Sequence, residues 1–186
     1  MTINELNGKV IRLKPDEEKD INFPMKLYAN LFTLTYATTN DDGGIVTQTN
    51  SEAFFNNSFF EGNSNYGRGG VFLVKEEASR IGGANSVFRR NIATRGGVVY
   101  SMRSSVFTCD SCEFYDNKAI EGGVIYTNDE GYFELDGVII QNNYAVVGNV
   151  LFAMSSNQIS KLSNFNFISN VYKSETWPET TVEQEK

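Results

Sequence analysis

Short apolar runs recur along this chain and are separated by polar corners. Val71-Phe72-Leu73-Val74, Val98-Val99-Tyr100, Val124-Ile125-Tyr126 and Val150-Leu151-Phe152 form one set, and runs such as Val87-Phe88 and Val138-Ile139-Ile140 form another. They are too short for helices and rich in β-branched and aromatic residues, so each predicts a β-strand.

Two columns give the runs a common period. Gly-Gly pairs stand at Gly43-Gly44, Gly69-Gly70, Gly96-Gly97 and Gly122-Gly123, with Gly148-Asn149 in the fifth place, at spacings of 26, 27, 26 and 26 residues. An apolar residue three positions before an asparagine makes the second column: Phe60 and Asn63, Phe88 and Asn91, Phe114 and Asn117, Ile140 and Asn143, Phe167 and Asn170. Two columns holding one period in the twenties mark a solenoid. The regular leucine spacing of a leucine-rich repeat is missing. The pattern predicts an all-β, single-stranded parallel β-helix of about five to six coils, roughly 26 residues to the coil.

In that fold Phe60, Phe88, Phe114, Ile140 and Phe167 stack as an apolar ladder inside the coil, each burial contributing roughly 1.5–3 kcal/mol. Asn63, Asn91, Asn117, Asn143 and Asn170 stack amide to amide along the axis. The second glycine of each pair (Gly70, Gly97, Gly123) is assigned a positive φ, with Asn149 as its tolerated substitute. The chain holds 21 Asn and 16 Gly against 3 Pro, a composition suited to many tight corners.

Between residues 43 and 170 the units Gly43-Gly44-Ile45, Gly69-Gly70-Val71, Gly96-Gly97-Val98 and Gly122-Gly123-Val124 alternate with the Phe-x-x-Asn units. This alternation resembles the repeat of polymorphic outer membrane proteins, and similar repeats occur in large surface proteins of some protists. The resemblance implies a right-handed β-helix and an extracellular or cell-surface, adhesive setting. It carries over no catalytic residue.

Residues 1 to 42 do not show the period and are expected to be an N-terminal cap or irregular first coil, with Leu27 to Tyr36 as a strand or short amphipathic helix. Residues 43–172 are assigned to the repeats and 173–186 to an acidic, flexible tail. Past Asn170 either Val171, Tyr172 and Trp177 fold back over the last coil, or the chain belongs to a longer β-helix.

Charge and composition narrow the function. The net charge of −7 argues against phosphate-backbone binding, so no nucleic-acid partner is expected. The longest nearly apolar stretch, Ala145 to Met154, is about half a bilayer span, and the N-terminus lacks the basic-then-apolar layout of a signal peptide. With no histidine, imidazole catalysis and imidazole metal sites are excluded.

Five arginines (Arg80, Arg89, Arg90, Arg95, Arg103) precede a stretch holding eight acids from Asp110 to Asp136. In the repeat frame Arg90 stacks on Asp116 and Arg95 on Glu121, ordinary cross-strand pairing of roughly 0.2–1 kcal/mol. The turns Asn40-Asp41-Asp42-Gly43 and Asn128-Asp129-Glu130-Gly131 offer oxygens to calcium but match no calcium loop. No cofactor is otherwise expected. Cys109 and Cys112 read as quiet cysteines in a turn, with a local disulfide second. Asn56-Asn57-Ser58 is the one N-glycosylation sequon.

One feature favours a partner. Val99 and Tyr100, Ile125 and Tyr126, and Leu151 and Phe152 are adjacent apolar pairs, and only one member of each can point into the coil. The other forms an outward stripe, either covered by the N-terminal segment or open to another protein or a glycan. The sequence therefore reads as a noncatalytic structural or adhesive β-helix module that meets protein partners or joins a larger assembly. The alternative is a pectin lyase-like polysaccharide enzyme or glycan-binding domain, which rests on fold analogy.

Overall fold

Asparagine and glycine at close intervals turn the chain often, and in the computed structural model it turns four times per coil. Residues 2–4, 11–13, 25–40, 43, 45–48, 51–154 and 161–170 are described. Among them every element is a strand, and the strands pair in parallel with their equivalents one coil away. The result is a β-solenoid of about five turns with about 26 residues per turn.

Four sheets form its sides. A long face holds Met25–Asn30, Ser51–Asn56, Arg80–Ala84, Val106–Asp110, Tyr132–Asp136 and Lys161–Ser163. A short face holds Thr2–Asn4, Thr33–Thr35, Phe59–Glu61, Val87–Arg89, Glu113–Tyr115, Ile139–Gln141 and Asn166–Ile168. A side face follows with Thr38–Thr39, Ser64–Arg68, Ile92–Arg95, Lys118–Glu121 and Tyr144–Val147. A tyrosine face completes the coil with Ile11–Leu13, Ile45–Gln48, Phe72–Lys75, Val99–Met102, Ile125–Asn128 and Leu151–Ala153.

Corners between the faces carry left-handed residues. Asn57, Asn85, Ser111, Gly137 and Asn164 leave the long face with φ of 48–61°. This backbone costs most side chains roughly 1–2 kcal/mol and asparagine less, which accounts for part of the Asn excess. At the glycine pairs the positive φ falls on the first member, Gly69, Gly96 and Gly122, and not on the second as the sequence suggested. The second is required for a different reason. A Cβ on Gly70, Gly97 or Gly123 would collide with the carbonyl oxygen of the same position in the next coil. Asn149 likewise follows the turn residue Gly148, and its Oδ1 accepts the Ala145 N–H at 3.1 Å.

The asparagine ladder forms as the period predicts. Nδ2 of Asn63 donates to Oδ1 of Asn91 at 2.9 Å, Asn91 to Asn117 at 3.0 Å, Asn117 to Asn143 at 2.9 Å and Asn143 to Asn170 at 3.2 Å. The same oxygens accept the backbone N–H of the asparagine below, while Nδ2 also donates to the carbonyls of Leu34, Phe60, Phe88, Phe114 and Ile140. Beside it Phe60, Phe88 and Phe114 stack with ring centroids 4.9 and 5.0 Å apart, and Ile140 continues the column, all buried. Phe167 departs from the expected interior ladder: it is 41% exposed, because nothing described lies above its coil.

A second inner corner escaped the sequence reading. Ser58 Oγ accepts the Phe32 N–H at 3.2 Å, Ser86 Oγ accepts the Ser58 N–H at 3.1 Å, and Cys112 takes the next place. Cys112 is joined to Cys109 by a disulfide, with both side chains buried. The repeat also starts earlier than residue 43. Met25 pairs with Ser51, Thr33 with Phe59 and Thr38 with Ser64, so residues 25–39 form a regular coil, and of the two readings of Leu27 to Tyr36 the strand is present and the helix is not. Leu34 and Ala37 occupy the Phe and Asn positions there, which hid the period. Val171, Tyr172, Trp177 and the acidic tail lie outside the described residues.

Candidate interaction surface

The tyrosine face decides which member of each apolar pair faces inward. Val99 and Ile125 are fully buried in the central core and Leu151 packs against it. Tyr100, Tyr126 and Phe152 point the other way and stack along the axis, with ring centroids 4.8 and 5.2 Å apart. This is the expected outward stripe, yet Tyr100 and Tyr126 are only 3% and 0% exposed, while Phe152 is half-buried.

Long side chains from the side face reach round the corner onto the stripe. The Arg68 guanidinium lies 5.7 Å from the Tyr100 ring centre and that of Arg95 lies 5.6 Å from Tyr126. Arg95 Nε also donates to Glu121 at 2.7 Å, the pair the repeat frame predicts; this hydrogen bond holds its guanidinium above the usual arginine value. Burial, with neighbouring Tyr100, pushes the Tyr126 hydroxyl above the usual tyrosine value. Arg90 behaves differently from the expectation. It sits in register with Asp116 but turns to Glu61 in the coil below, where Arg89 pairs with the same carboxylate at 2.9 Å. Glu61 is nearly buried and so gains more from two cations than exposed Asp116 would.

Ile92 pairs with Lys118 and Val147 with Glu121, so the exposed apolar residues stack in no single column but are spread over the side face. Its inner positions are small: Asn65, Ala93, Ala119 and Ala145, all buried. Its outer positions include Tyr66 at 74%, Ile92 at 47%, Ile120 at 53% and Val147 at 44% exposure, with Tyr144 and Val146 half-buried. The alternations Ile92-Ala93, Ala119-Ile120 and Ala145-Val146 carried this signal, because a small residue at every second place marks the inward side and leaves the larger one outside.

The corner from the tyrosine face to the long face bears an open cleft of about 790 Å³ lined by Glu76, Glu77, Arg103, Asp129, Glu130 and Met154 among others. Its charges face one another: Arg103 Nη1 lies 3.9 Å from Glu76, and Ser104 Oγ donates to Glu130 at 3.2 Å. Among the described residues no group of three or more Asp, Glu or Cys side chains is placed to hold a metal ion. No helix among them is long and apolar enough to cross a membrane. No family profile, curated protein or solved structure matches the chain.

Proposed function

We propose that this β-solenoid is a noncatalytic structural or adhesive module that meets other proteins through its side face. The observation that carries this reading is the group Ile92, Ile120 and Val147, apolar and about half-exposed on successive coils of that face though not stacked in one column. Several large apolar side chains exposed on one face, interspersed with Lys118 and Glu121, suit a contact site. The coil interior meanwhile spends its polar side chains on its own ladders, as Asn91, Asn117 and Ser86 show. The Cys109–Cys112 disulfide suits an oxidising, extracellular or surface compartment. Light scattering over a dilution series tests the reading: mass that rises with concentration is expected, and a constant monomer mass overturns it.

A glycan-binding reading is favoured by one observation. Tyr28 is 67% exposed and stacks on Phe54 at 5.6 Å and 10°, giving a flat aromatic platform on the long face. Saturable binding on a glycan panel, lost in Tyr28→Ala, would promote it over the protein-contact reading.

A further inference from the structure

One outward patch of the long face has no role in holding the coil together. Strand Ser51–Asn56 turns Ala53 and Phe55 into the core, so Phe54 and Asn56 share its outer side. Phe54 stacks on Tyr28 of the coil below at 5.6 Å, and Tyr28 is 67% exposed. On the other side of Phe54 the register places Gly82, and beside Asn56 it places Ala84. Neither brings a bulky side chain, so a shallow shelf borders the Phe54 ring in a row that elsewhere carries Tyr28, Thr108 and Glu134. Thr108 Oγ1 leans toward Gly82 from the next coil and offers a hydroxyl at the far edge.

Asn56 is exposed and stands at the border of that shelf. Its Oδ1 accepts the Ala84 N–H at 3.0 Å, while its Nδ2 meets no acceptor among the described residues. Asn56-Asn57-Ser58 is the acceptor sequence for N-glycosylation. The Cys109–Cys112 disulfide suits the oxidising compartment in which that modification is made.

We propose that Asn56 carries an N-linked glycan whose first sugar lies on the shelf, its apolar face against the Phe54 ring. The donor is a lipid-pyrophosphate-linked oligosaccharide. Nδ2 attacks the anomeric carbon of its first sugar: the Nδ2–C1 bond forms, the C1–O bond to the pyrophosphate breaks, and Nδ2 gives up one proton as the lipid pyrophosphate leaves. In the folded coil Ser58 is 3% exposed, and its Oγ donates to the Asn56 carbonyl at 2.8 Å and accepts the Phe32 N–H at 3.2 Å. A transferase that must reach this hydroxyl therefore acts before the corner closes. The reaction leaves Oδ1 untouched, so the bond from the Ala84 N–H survives and holds the glycosylated amide beside the shelf. The site is independent of the side face. Its sugar is covalent, unlike the free glycan of the glycan-binding reading.

The test uses the full chain made in the secretory pathway of a eukaryotic cell, with and without an inhibitor of donor synthesis. Peptide mass spectrometry after enzymatic glycan release in heavy-oxygen water is expected to mark Asn56 in most molecules, and Asn56→Gln to abolish the mobility shift on gels. The glycosylated chain is expected to unfold about 2 °C higher than the same chain without its glycan. In a Phe54→Ala background that difference is expected to vanish. If Phe54→Ala does not fold by circular dichroism, nuclear magnetic resonance of the native glycoprotein decides, with upfield ring-current shifts expected for the protons of the first sugar. An unoccupied Asn56, a glycan effect on the midpoint that is the same with and without Phe54, or first-sugar protons free of ring-current shifts overturns the proposal.

Discussion

Two sets of side chains in this solenoid invert the usual rule of apolar inside and polar outside. Asn63, Asn91, Asn117 and Asn143 are buried at 0–1% exposure, while Ile92, Ile120 and Val147 stand about half in solvent one sheet away. The buried amides are well partnered: Oδ1 of Asn91, Asn117 and Asn143 takes two donors, that of Asn63 takes the Ala37 N–H, and each Nδ2 reaches a carbonyl and the next amide. The exposed aliphatics bury only about half of their surface within the chain. An inverted polarity explained by partners inside the fold is structural, and one left unexplained inside the fold marks a contact outward. The tyrosine stripe is the instructive intermediate, apolar and outward yet occluded, with Arg68 and Arg95 lying over it.

The sharpest way to break the comparison is Asn117→Ala. It strands the N–H of Asn91, removes one of the two partners of its Nδ2 and takes the side-chain donor from the Phe88 carbonyl, and at about 1–3 kcal/mol for each buried group left short of a partner the loss is expected to reach about 4 kcal/mol in chemical denaturation. A loss below about 1 kcal/mol would mean that water replaces the ladder, and the buried column would then differ little from the exposed set.

Opening the Cys109–Cys112 disulfide is expected to cost about 2 kcal/mol, the entropy of a very short loop. Cys112→Ser restores the hydroxyl that Ser58 and Ser86 carry at this corner. Beside Cys109→Ser, it should therefore be less destabilising than Cys112→Ala in the same background, as a thermal scan would show.

Arg95→Gln removes an exposed ion pair and a cation–π contact and is expected to cost about 0.5 kcal/mol. The Tyr126 fluorescence environment should shift with it, because that ring loses its cover. An unchanged tyrosine signal would show that Arg95 does not cover the stripe.

Smallest is a pH effect at Asp136. Hydrogen bonds from Ser163 and Asn164 hold its carboxyl below the model-compound value of 3.8. The stability this adds is present above 3.8 and is lost as pH falls through the depressed value. Asp136→Asn should flatten the acid limb of the unfolding midpoint in that window and lower the midpoint slightly at neutral pH, where the lost contribution is present.

Much of the fold was legible because a solenoid writes each structural requirement once per coil. Gly69, Gly96 and Gly122 and the Asn column repeat in the sequence, and the ladders they predict exist. Which glycine carries the positive φ was not legible, since both members of a pair are needed, one for its turn and one for close approach of the next coil. Leu34 and Ala37 hid the first regular coil because a coil lacking the marker residues can still pair in register. The outward stripe was readable from alternation, but its burial was not, because side chains such as Arg68 and Arg95 reach over it from another face and Leu73 and Met102 pack beside it. The exposed side-face residues were present in the alternation with Ala93, Ala119 and Ala145 and were masked by the larger aromatic signal of Tyr100 and Tyr126.

The claim that buried asparagines hold the fold while exposed aliphatics make contacts is tested most directly by one paired measurement. Native chain and Ile92→Lys/Ile120→Lys are compared by light scattering across the same dilution series, with a thermal scan of each. The account predicts concentration-dependent mass for the native chain, a monomer for the variant, and the same unfolding midpoint for both. Equal association of the two, or a large drop in the variant's midpoint, would contradict it.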